Sequence, residues 1–249
     1  FYYLCLFFFC ATLIFVKFSD FLEKLSEIVF PSDIKCLACE RDVEKGKHFC
    51  ETCAKTLPFN YEHVCEVCGI NIPSEGKCVR CVGKKVYEMA RAPFIYDGIV
   101  KKLIHDFKYN NAKYLFKPLA MYMAECYLVN DMDADIIVPI PLYKKRLKSR
   151  GYNQSFKLGE EIGKLLDLDV IECLERVKDT PTQTALDFKE RKANIAGAFK
   201  VKSKEFVGKN VLLIDDVYTS GATLKEASRV LKRAGANKIY VLTLAHTPL

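Results

Sequence analysis

Two acidic residues stand directly before a run of small, hydroxyl-bearing residues near the C-terminus. Asp215 and Asp216 follow the apolar segment 211–214. The sequence then continues toward a predicted helix through Val217, Tyr218, Thr219, Ser220, Gly221, Ala222 and Thr223. Free N–H groups at a helix start, a glycine and hydroxyl donors suit a phosphate, whereas paired carboxylates suit a polyol or its metal ion. The segment therefore predicts a sugar-phosphate site, with an ordinary capped strand-turn-helix as the alternative.

A group of cations follows another predicted strand. Five Lys and Arg residues lie within positions 144–150, directly after an apolar strand at 135–140. Prolines stiffen the end of that strand, and cations four residues apart share one face of a helix. Such cations suit a local anion site, although a solvated helix face is the alternative for the charges alone. The candidate anion-binding residues are Pro139, Ile140, Pro141, Arg146 and Arg150.

Three other features leave their roles open. Asn153 and Gln154 either cap the next helix or position ligand atoms. The polar stretch that begins at 182 suits a lid over the site or a plain surface connection, because it lacks helix or strand periodicity. The candidate lid residues are Gln183, Arg191 and Asn194. Lys108 follows an amphipathic helix, where an exposed lysine is preferred over a phosphate contact.

Eight of the twelve cysteines form four Cys-x-x-Cys pairs, with ten, eleven and nine residues between successive pairs. Each pair suits a turn that points two thiolates at one metal ion, and two turns complete a tetrahedral zinc site. A disulfide framework is the alternative, but phosphate-handling motifs indicate a reducing cytosol. We predict two structural zinc ions, in sequential rather than interleaved pairing because this closes shorter loops. The predicted ligands are Cys36, Cys39, Cys50 and Cys53 for one ion, and Cys65, Cys68, Cys78 and Cys81 for the other.

The elements that must position these residues divide the chain into three predicted parts. An apolar extension with an amphipathic helix occupies 1–30, a double zinc-ribbon module 31–85, and an α/β domain 86–249. In the last part, strands alternate with helices, which predicts a parallel sheet covered on both faces. The predicted strands are 91–96, 135–140, 170–174, 211–214 and 238–245. The predicted helices are 99–107, 118–128, 155–166 and 224–234.

Overall charge and hydropathy say little about partners. The formal net charge is +7, but eight bound thiolates offset by two zinc ions would leave about +3. The basic excess is thus weak evidence for nucleic acid. The first sixteen residues are uncharged and apolar, yet a spanning helix needs about twenty such residues. We therefore expect no stable membrane span.

The acid and loop segment resembles the ribose-phosphate loop of type I phosphoribosyltransferases, in which two adjacent acids precede a Thr/Ser-x-Gly-x-Thr run. Other matching features are the cysteine pairs, the Arg-Gly-Tyr-Asn-Gln segment at 150–154, and the Gln-x-x-Leu and Arg-x-x-Asn spacings at 183–186 and 191–194. Together they identify the chain, from position 21 to the C-terminus, as a member of the ComF family. The fold implied is a type I phosphoribosyltransferase domain behind zinc ribbons.

The resemblance also implies a function. Asp215 and Asp216 would be the catalytic, ribose-binding acids, and the loop 217–223 would hold the 5-phosphate of 5-phosphoribosyl 1-pyrophosphate, with Mg²⁺ bound to the pyrophosphate. The anion-binding residues listed above, with Arg146 and Arg150 as the preferred contacts, would bind the pyrophosphate and neutralise it as it leaves. The family is cytoplasmic, bacterial and associated with DNA uptake in natural competence. The leading hypothesis is a magnesium-dependent transferase whose acceptor no feature identifies. One alternative is a non-catalytic sensor of the same ligand, and the other is an accessory protein that contacts single-stranded DNA or DNA-uptake proteins. The basic residues considered for DNA are Lys101, Lys102, Lys113 and Lys117.

Overall fold

The structure is a computed structural model that describes residues 35–61, 63–82, 85–180 and 195–248. It divides into two compact units, with the boundary between Lys55 and Thr56. The predicted helix within 1–30 and the candidate lid residues Gln183, Arg191 and Asn194 lie outside the described residues. Within the described ranges, no helix has the length and apolar character needed to span a bilayer.

The first unit contains helix α1, Glu51–Lys55, which directly follows Cys50 and carries Cys53. The helices of the second unit are α2 (Gly98–Tyr109), α3 (Phe116–Val129), α4 (Lys144–Arg150), α5 (Gln154–Leu166) and α6 (Ala222–Arg233), with a short 3-10 helix at Lys113–Leu115. Its strands are β1 (Met89–Arg91), β2 (Phe94–Ile95), β3 (Ile136–Pro139), β4 (Asp169–Val170), β5 (Leu174–Arg176), β6 (Phe199–Val201), β7 (Val211–Tyr218) and β8 (Ile239–His246).

The main sheet is parallel and has the strand order β1-β8-β7-β3-β4, with β2 also paired to β8. The long strands β7 and β8 lie at its centre, and all eight residues of β8 are buried. Such continuous burial is expected where helices cover both faces of a parallel sheet. A separate antiparallel hairpin is formed by β5 and β6. The predicted α/β class with a parallel sheet is confirmed.

Alternating residues of the sheet pack against different neighbours. Helix α5 approaches one face so closely that a Cβ at Gly159 would lie 3.3 Å from the Ile137 side chain. On the other face, a hydrophobic core contains Val138 and Leu213 together with Leu224 of α6. The same core includes the cysteines of the second cluster, so this cluster packs as part of the sheet domain. Its members are Cys65, Cys68, Cys78 and Cys81.

Three strands differ from their predicted bounds. The strand predicted at 91–96 is divided into β1 and β2, with Ala92 and Pro93 between them. The strand predicted at 170–174 is divided into β4 and β5, because the chain leaves the main sheet after the hydrogen bond from Ile171 N to Ile137 O. Strand β7 continues past Ile214 to Tyr218, because its pairing with β8 continues through the acidic residues, where Asp215 lies opposite Thr243. The acids thus lie within the strand, and the loop begins only after Tyr218.

Candidate functional site

Asp215 and Asp216 lie near the carboxyl end of the central strand β7, where a parallel sheet offers a crevice for ligands. Four groups contact the two carboxylates. Ser155 Oγ donates to Asp215 Oδ1 at 2.9 Å, as does the backbone N–H of Asp216. Gln154 Nε2 donates to Asp216 Oδ2 at 2.8 Å. Lys108 Nζ forms an ion pair with the same oxygen at 2.9 Å.

The two acids lie in different electrostatic surroundings. Burial, with the adjacent charge of Asp216, raises the pKa of Asp215 to about 7. Although burial lowers the pKa of Lys108, its pairing with Asp216 raises that pKa above the ordinary value overall. Lys108 therefore balances the charge of Asp216, while no cation among the described residues forms an ion pair with Asp215. The charge of Lys108 lowers the pKa of Asp215 but does not offset burial and Asp216, so a further cation would favour the ionised form of Asp215.

The position of Lys108 corrects a sequence-based expectation. Its side chain is only 19% exposed, so the preferred interpretation of an exposed lysine is wrong. The last turns of α2 direct it over the strand end, where the Asp216 carboxylate repays the cost of burying the ammonium group. Asn153 proves to be a helix cap, since its side chain accepts from Ser155 N, whereas Gln154 reaches the acid pair.

In the segment after the acids, every second residue lines the cavity beside the acids, and the residues between them face elsewhere. Val217, Thr219, Gly221 and Thr223 line a cavity of about 180 Å³ that also contains the acid pair. The Tyr218 side chain is buried instead, with its hydroxyl 2.7 Å from that of Tyr87. Gly221 has φ +70° and precedes α6, and an added Cβ would collide with the Tyr218 hydroxyl. A side chain at position 221 would therefore not fit in this turn, which leads from β7 into α6.

Ser220 and Ala222 line a different, larger cavity of about 430 Å³ between α6 and the second cysteine cluster. That cavity has apolar walls from Val67, Val86 and Ile195 and lacks the acid pair. We place the candidate site in the smaller cavity, because there carboxylates, hydroxyls and cations converge on one space.

The predicted cations reach the smaller cavity from helix α4. Arg146 and Arg150 both line it, as does Ile140, whereas Pro139 belongs to β3 and Pro141 follows Ile140 in the chain. Arg146 donates to the carbonyl of Thr180, and Arg150 to the side-chain oxygen of Gln154. Arg150 also stacks on Tyr109, with its guanidinium carbon 5.4 Å from the ring centroid. The structure thus brings both arginines to the wall facing the acid pair.

One more arginine lines the cavity, and the sequence analysis missed it. Arg176, from hairpin strand β5, is 8% exposed and donates to the Thr180 hydroxyl. Burial, with the nearby charge of Arg146, lowers its pKa. Ser155 was missed as well. The signal for Ser155 was its place at the start of α5, beside the carboxyl end of β3, where parallel strands gather polar groups. No sequence signal marks Arg176.

The eight paired cysteines form two groups, in the sequential pairing that the loop lengths favoured. Within each group, all four sulfur atoms lie within 4.8 Å of one another. Cys39 and Cys50 sulfurs are 3.7 Å apart, as are those of Cys68 and Cys78. A tetrahedral zinc ion with Zn–S bonds of about 2.3 Å separates its sulfurs by about 3.8 Å. Both groups therefore fit a structural zinc ion.

The lysines considered for DNA binding are Lys101, Lys102, Lys113 and Lys117, and all four are exposed. They lie on α2, the short 3-10 helix and the start of α3. Two exposed tyrosines, Tyr109 and Tyr114, occur in the same part of the chain.

Comparison with known proteins agrees with this architecture. Residues 25–82 match the double zinc ribbon domain, and residues 170–248 match the phosphoribosyl transferase domain. Competence protein F of Haemophilus influenzae is 32% identical over 222 residues, which cover 84% of this chain and 89% of that protein. This chain belongs to the ComF family.

Two relatives of lower sequence identity align with this ComF-family chain over a similar length. DNA utilization protein YhgH of Escherichia coli K12 is 27% identical over 219 residues, covering 85% of this chain and 90% of that protein. Competence protein ComFC of Bacillus subtilis is 26% identical over 213 residues, covering 82% and 80% respectively. The transferase match contains the acid pair, the loop and Arg176, whereas Lys108 and the α4 arginines precede it.

Proposed function

We propose that this ComF-family protein binds 5-phosphoribosyl 1-pyrophosphate with Mg²⁺ in the smaller cavity and acts as a phosphoribosyltransferase. The observation that carries the proposal is the convergence of three kinds of group on one space. These are an acid pair at the end of β7, a glycine-containing turn into α6, and arginines from α4. A sugar phosphate bearing a pyrophosphate needs all three.

The loop and the acids would bind different parts of the ribose 5-phosphate group. The start of α6 offers backbone N–H groups, and Thr219 and Thr223 add hydroxyls, which together suit the 5-phosphate. Asp215 and Asp216 would accept hydrogen bonds from the ribose hydroxyls. When positive charge develops at the anomeric carbon, the same carboxylates would stabilise it.

Magnesium fits the charge balance of the site. The raised pKa of Asp215 arises from burial and from Asp216, so a cation near this pair would favour the ionised form. Mg²⁺ prefers oxygen ligands from carboxylates and phosphates and would neutralise charge on the pyrophosphate. Arg146 and Arg150 would then hold the departing pyrophosphate.

Names of the relatives suggest where the activity is used. Two relatives are called competence proteins and another a DNA utilization protein. We therefore propose that this protein also takes part in DNA uptake or use, in the cytoplasm. A non-catalytic sensor of the same ligand would use the same cavity without turnover. Direct contact with single-stranded DNA is supported by the exposed lysines and by Tyr109 and Tyr114.

The test is calorimetric titration of 5-phosphoribosyl 1-pyrophosphate with Mg²⁺ into the native protein and into Asp215→Asn/Asp216→Asn. We expect binding to the native protein and at least about a hundredfold loss in the variant, because charge-assisted bonds contribute about 1.5–3 kcal/mol each. Asp169→Asn, an exposed acid on β4, is the control and should bind normally. Absence of binding to folded, zinc-loaded native protein would overturn the proposal.

The pH dependence gives an independent test. With a pKa of about 7, Asp215 is mostly protonated at pH 6. The affinity for the magnesium-bound ligand should therefore fall about tenfold per unit below pH 7. Asp215→Asn should lose this dependence as well as most of the affinity.

Stability should show the opposite effect. Because folding raises this pKa, the folded protein binds more protons between about pH 4 and 7, and stability falls as pH rises through that range. Asp215→Asn should raise the melting temperature at pH 8 by roughly 2–4 °C. An unchanged melting temperature would show that the acid pair is not strained.

A further inference from the structure

Helix α3 has an apolar outer face. Its buried face packs against α5 and β8. On the opposite face, exposed side chains recur every three or four residues along the 3-10 helix and α3, which places them in one stripe. The outer stripe consists of Tyr114, Lys117, Met121, Glu125 and Leu128. A surface helix usually has a polar outer face, whereas a helix that is apolar on both faces is usually covered on both.

The apolar members of the outer stripe are well exposed. Tyr114 is 68% exposed, Leu128 62% and Met121 45%. The apolar surface continues beside α3, where Tyr61 is 56% exposed and stacks on Phe59, with 4.9 Å between the ring centroids. Contiguous apolar surface of this kind marks an interaction site rather than scattered exposed side chains.

The stripe is symmetrical about Met121. Lys117 lies four residues before it and Glu125 four residues after it, while Tyr114 and Leu128 lie seven residues before and after. Lys117 and Glu125 are too far apart along the helix to pair with each other, because such pairs form at a separation of three or four residues. The stripe therefore presents one positive and one negative charge at equal distances from an apolar centre.

This arrangement is complementary to itself. When two copies of a helix pack antiparallel about a twofold axis, each residue meets the one that lies equally far on the other side of the axis. With the axis at Met121, Lys117 of each copy lies opposite Glu125 of the other, about 6 Å along the helix from the centre at 1.5 Å per residue. Tyr114 of each copy lies opposite Leu128 of the other.

We propose that the outer stripe is the interface of a homodimer, in which two copies of α3 pack antiparallel about Met121. This inference goes beyond the proposed function and does not depend on ligand binding. Apolar burial would drive the association, and the two Lys117–Glu125 pairs would fix its direction and register. One helix pair covers less than the roughly 800 Å² per partner of a standard interface, so we expect a dissociation constant of about micromolar size. Tyr114 and Lys117, which are considered above for DNA, would be covered in the dimer.

The first test is sedimentation equilibrium of the zinc-loaded, full-length protein between about 1 and 200 μM. We expect a monomer–dimer equilibrium that Met121→Glu abolishes, because two carboxylates would meet at the axis. Val207→Glu is the matched control, since Val207 is 49% exposed but lies in the loop before β7. It should dimerise like the native protein. A native protein that stays monomeric at the highest concentration, or a Met121→Glu variant that dimerises normally, would overturn the proposal.

A charge exchange tests the antiparallel register without depending on loss alone. Lys117→Glu and Glu125→Lys should each weaken self-association at least about tenfold, because each places like charges opposite each other twice. A mixture of the two variants should form a heterodimer within about threefold of the native affinity. One chain then carries two acids and the other two lysines, so both pairs become complementary again. Weakened variants that do not associate when mixed would contradict the register.

Single-stranded DNA is the competing occupant of this surface. If DNA covers the stripe, Lys117→Glu should weaken binding of a labelled oligothymidylate, whereas Glu125→Lys should strengthen it. A homodimer interface requires instead that both changes weaken self-association. Native protein that remains monomeric while DNA affinity follows the sign of the charge change would assign the stripe to DNA and overturn the proposal.

Discussion

The two cysteine clusters begin with the same backbone turn but differ in their surroundings. In the first, Cys36 N donates to Arg41 O, and Lys35 bridges to Asp42. In the second, the same offsets recur, with Cys65 N donating to Ile70 O and Val64 bridging to Asn71. All four cysteines of the second cluster are buried, whereas Cys39 of the first is exposed.

Backbone geometry reveals how closely the second cluster is packed. The residue after the second cysteine of each turn has positive φ, +61° at Glu40 and +71° at Gly69. A glutamate is tolerated at the first position, where it is exposed. At Gly69 a Cβ would collide with the carbonyl oxygen of Ala90. The same turn therefore accommodates a non-glycine residue at the surface but requires glycine against strand β1.

Thiol acidity varies within both clusters. Burial raises the pKa of the Cys53 thiol in the first to about 12, whereas backbone hydrogen bonds outweigh burial and lower that of Cys65 in the second to about 7. A hydrogen bond from Arg41 lowers the pKa of the Cys39 thiol to about 6. Burial raises the pKa of the Cys68 thiol far above its usual range. The Cys68 thiolate thus depends on a metal ion for its charge, because a buried charge needs compensation. The comparison teaches that one zinc site stabilises a small module, whereas the other belongs to the core of the transferase domain.

The largest expected difference comes from removing one ligand of each zinc site. Cys68→Ser should abolish metal binding at the second site and unfold the sheet domain, because structural zinc contributes on the order of 10 kcal/mol, similar to the whole stability of a domain. Cys39→Ser should also lose one zinc but shift the unfolding of the second unit by less than about 1 kcal/mol. Metal analysis and thermal unfolding measure both. Equal losses of stability would show that the clusters play the same structural role.

A smaller effect should follow from exchanging the residues with positive φ. Gly69→Ala should destabilise the second unit by at least about 3 kcal/mol, since it adds a left-handed backbone penalty and a collision with Ala90. Glu40→Gly should stabilise the first turn by up to about 1 kcal/mol. Denaturant unfolding gives both values. A mild effect at Gly69 would indicate that strand β1 can move away from the turn.

This difference between the clusters was beyond the sequence. Cysteine spacing predicted both metal sites and their pairing, because ligand geometry depends on local turns. The packing of Val67 and Ile70 against the sheet is a long-range contact that spacing does not record. The compact units divide between Lys55 and Thr56, and the predicted module boundary at 85/86 stays a prediction.

The ligand site shows a similar limit. Asp215, Asp216 and the following loop form one local motif, so the sequence marked them together. Lys108 and Arg176 reach the cavity from a helix and from a hairpin far away in the chain. An isolated lysine after a helix is usually exposed, and an arginine in a short strand has no motif. The predicted helices agree with α2, α3, α5 and α6. Apolar periodicity is strong in α2, α5 and α6, whereas α3 is apolar on most of its surface.

The smallest expected effect concerns a hydrogen bond between two tyrosines. Tyr87 follows the second cysteine cluster in the chain, and Tyr218 ends β7, the strand that carries the acids. Tyr87 and Tyr218 are both buried, and their hydroxyl oxygens are 2.7 Å apart. Tyr87→Phe should cost about 1 kcal/mol, because it leaves the Tyr218 hydroxyl with one partner fewer. Tyr218→Phe should cost a similar amount, and the double variant less than the sum.

A double-mutant cycle from denaturant unfolding measures this coupling, and we expect about 1 kcal/mol. The same variants should bind 5-phosphoribosyl 1-pyrophosphate within about threefold of the native affinity, since the Tyr218 ring faces away from the cavity. A coupling near zero would mean that the second cluster stabilises the domain through apolar packing alone. A large loss of affinity would mean instead that this hydroxyl pair also sets the shape of the loop at Gly221.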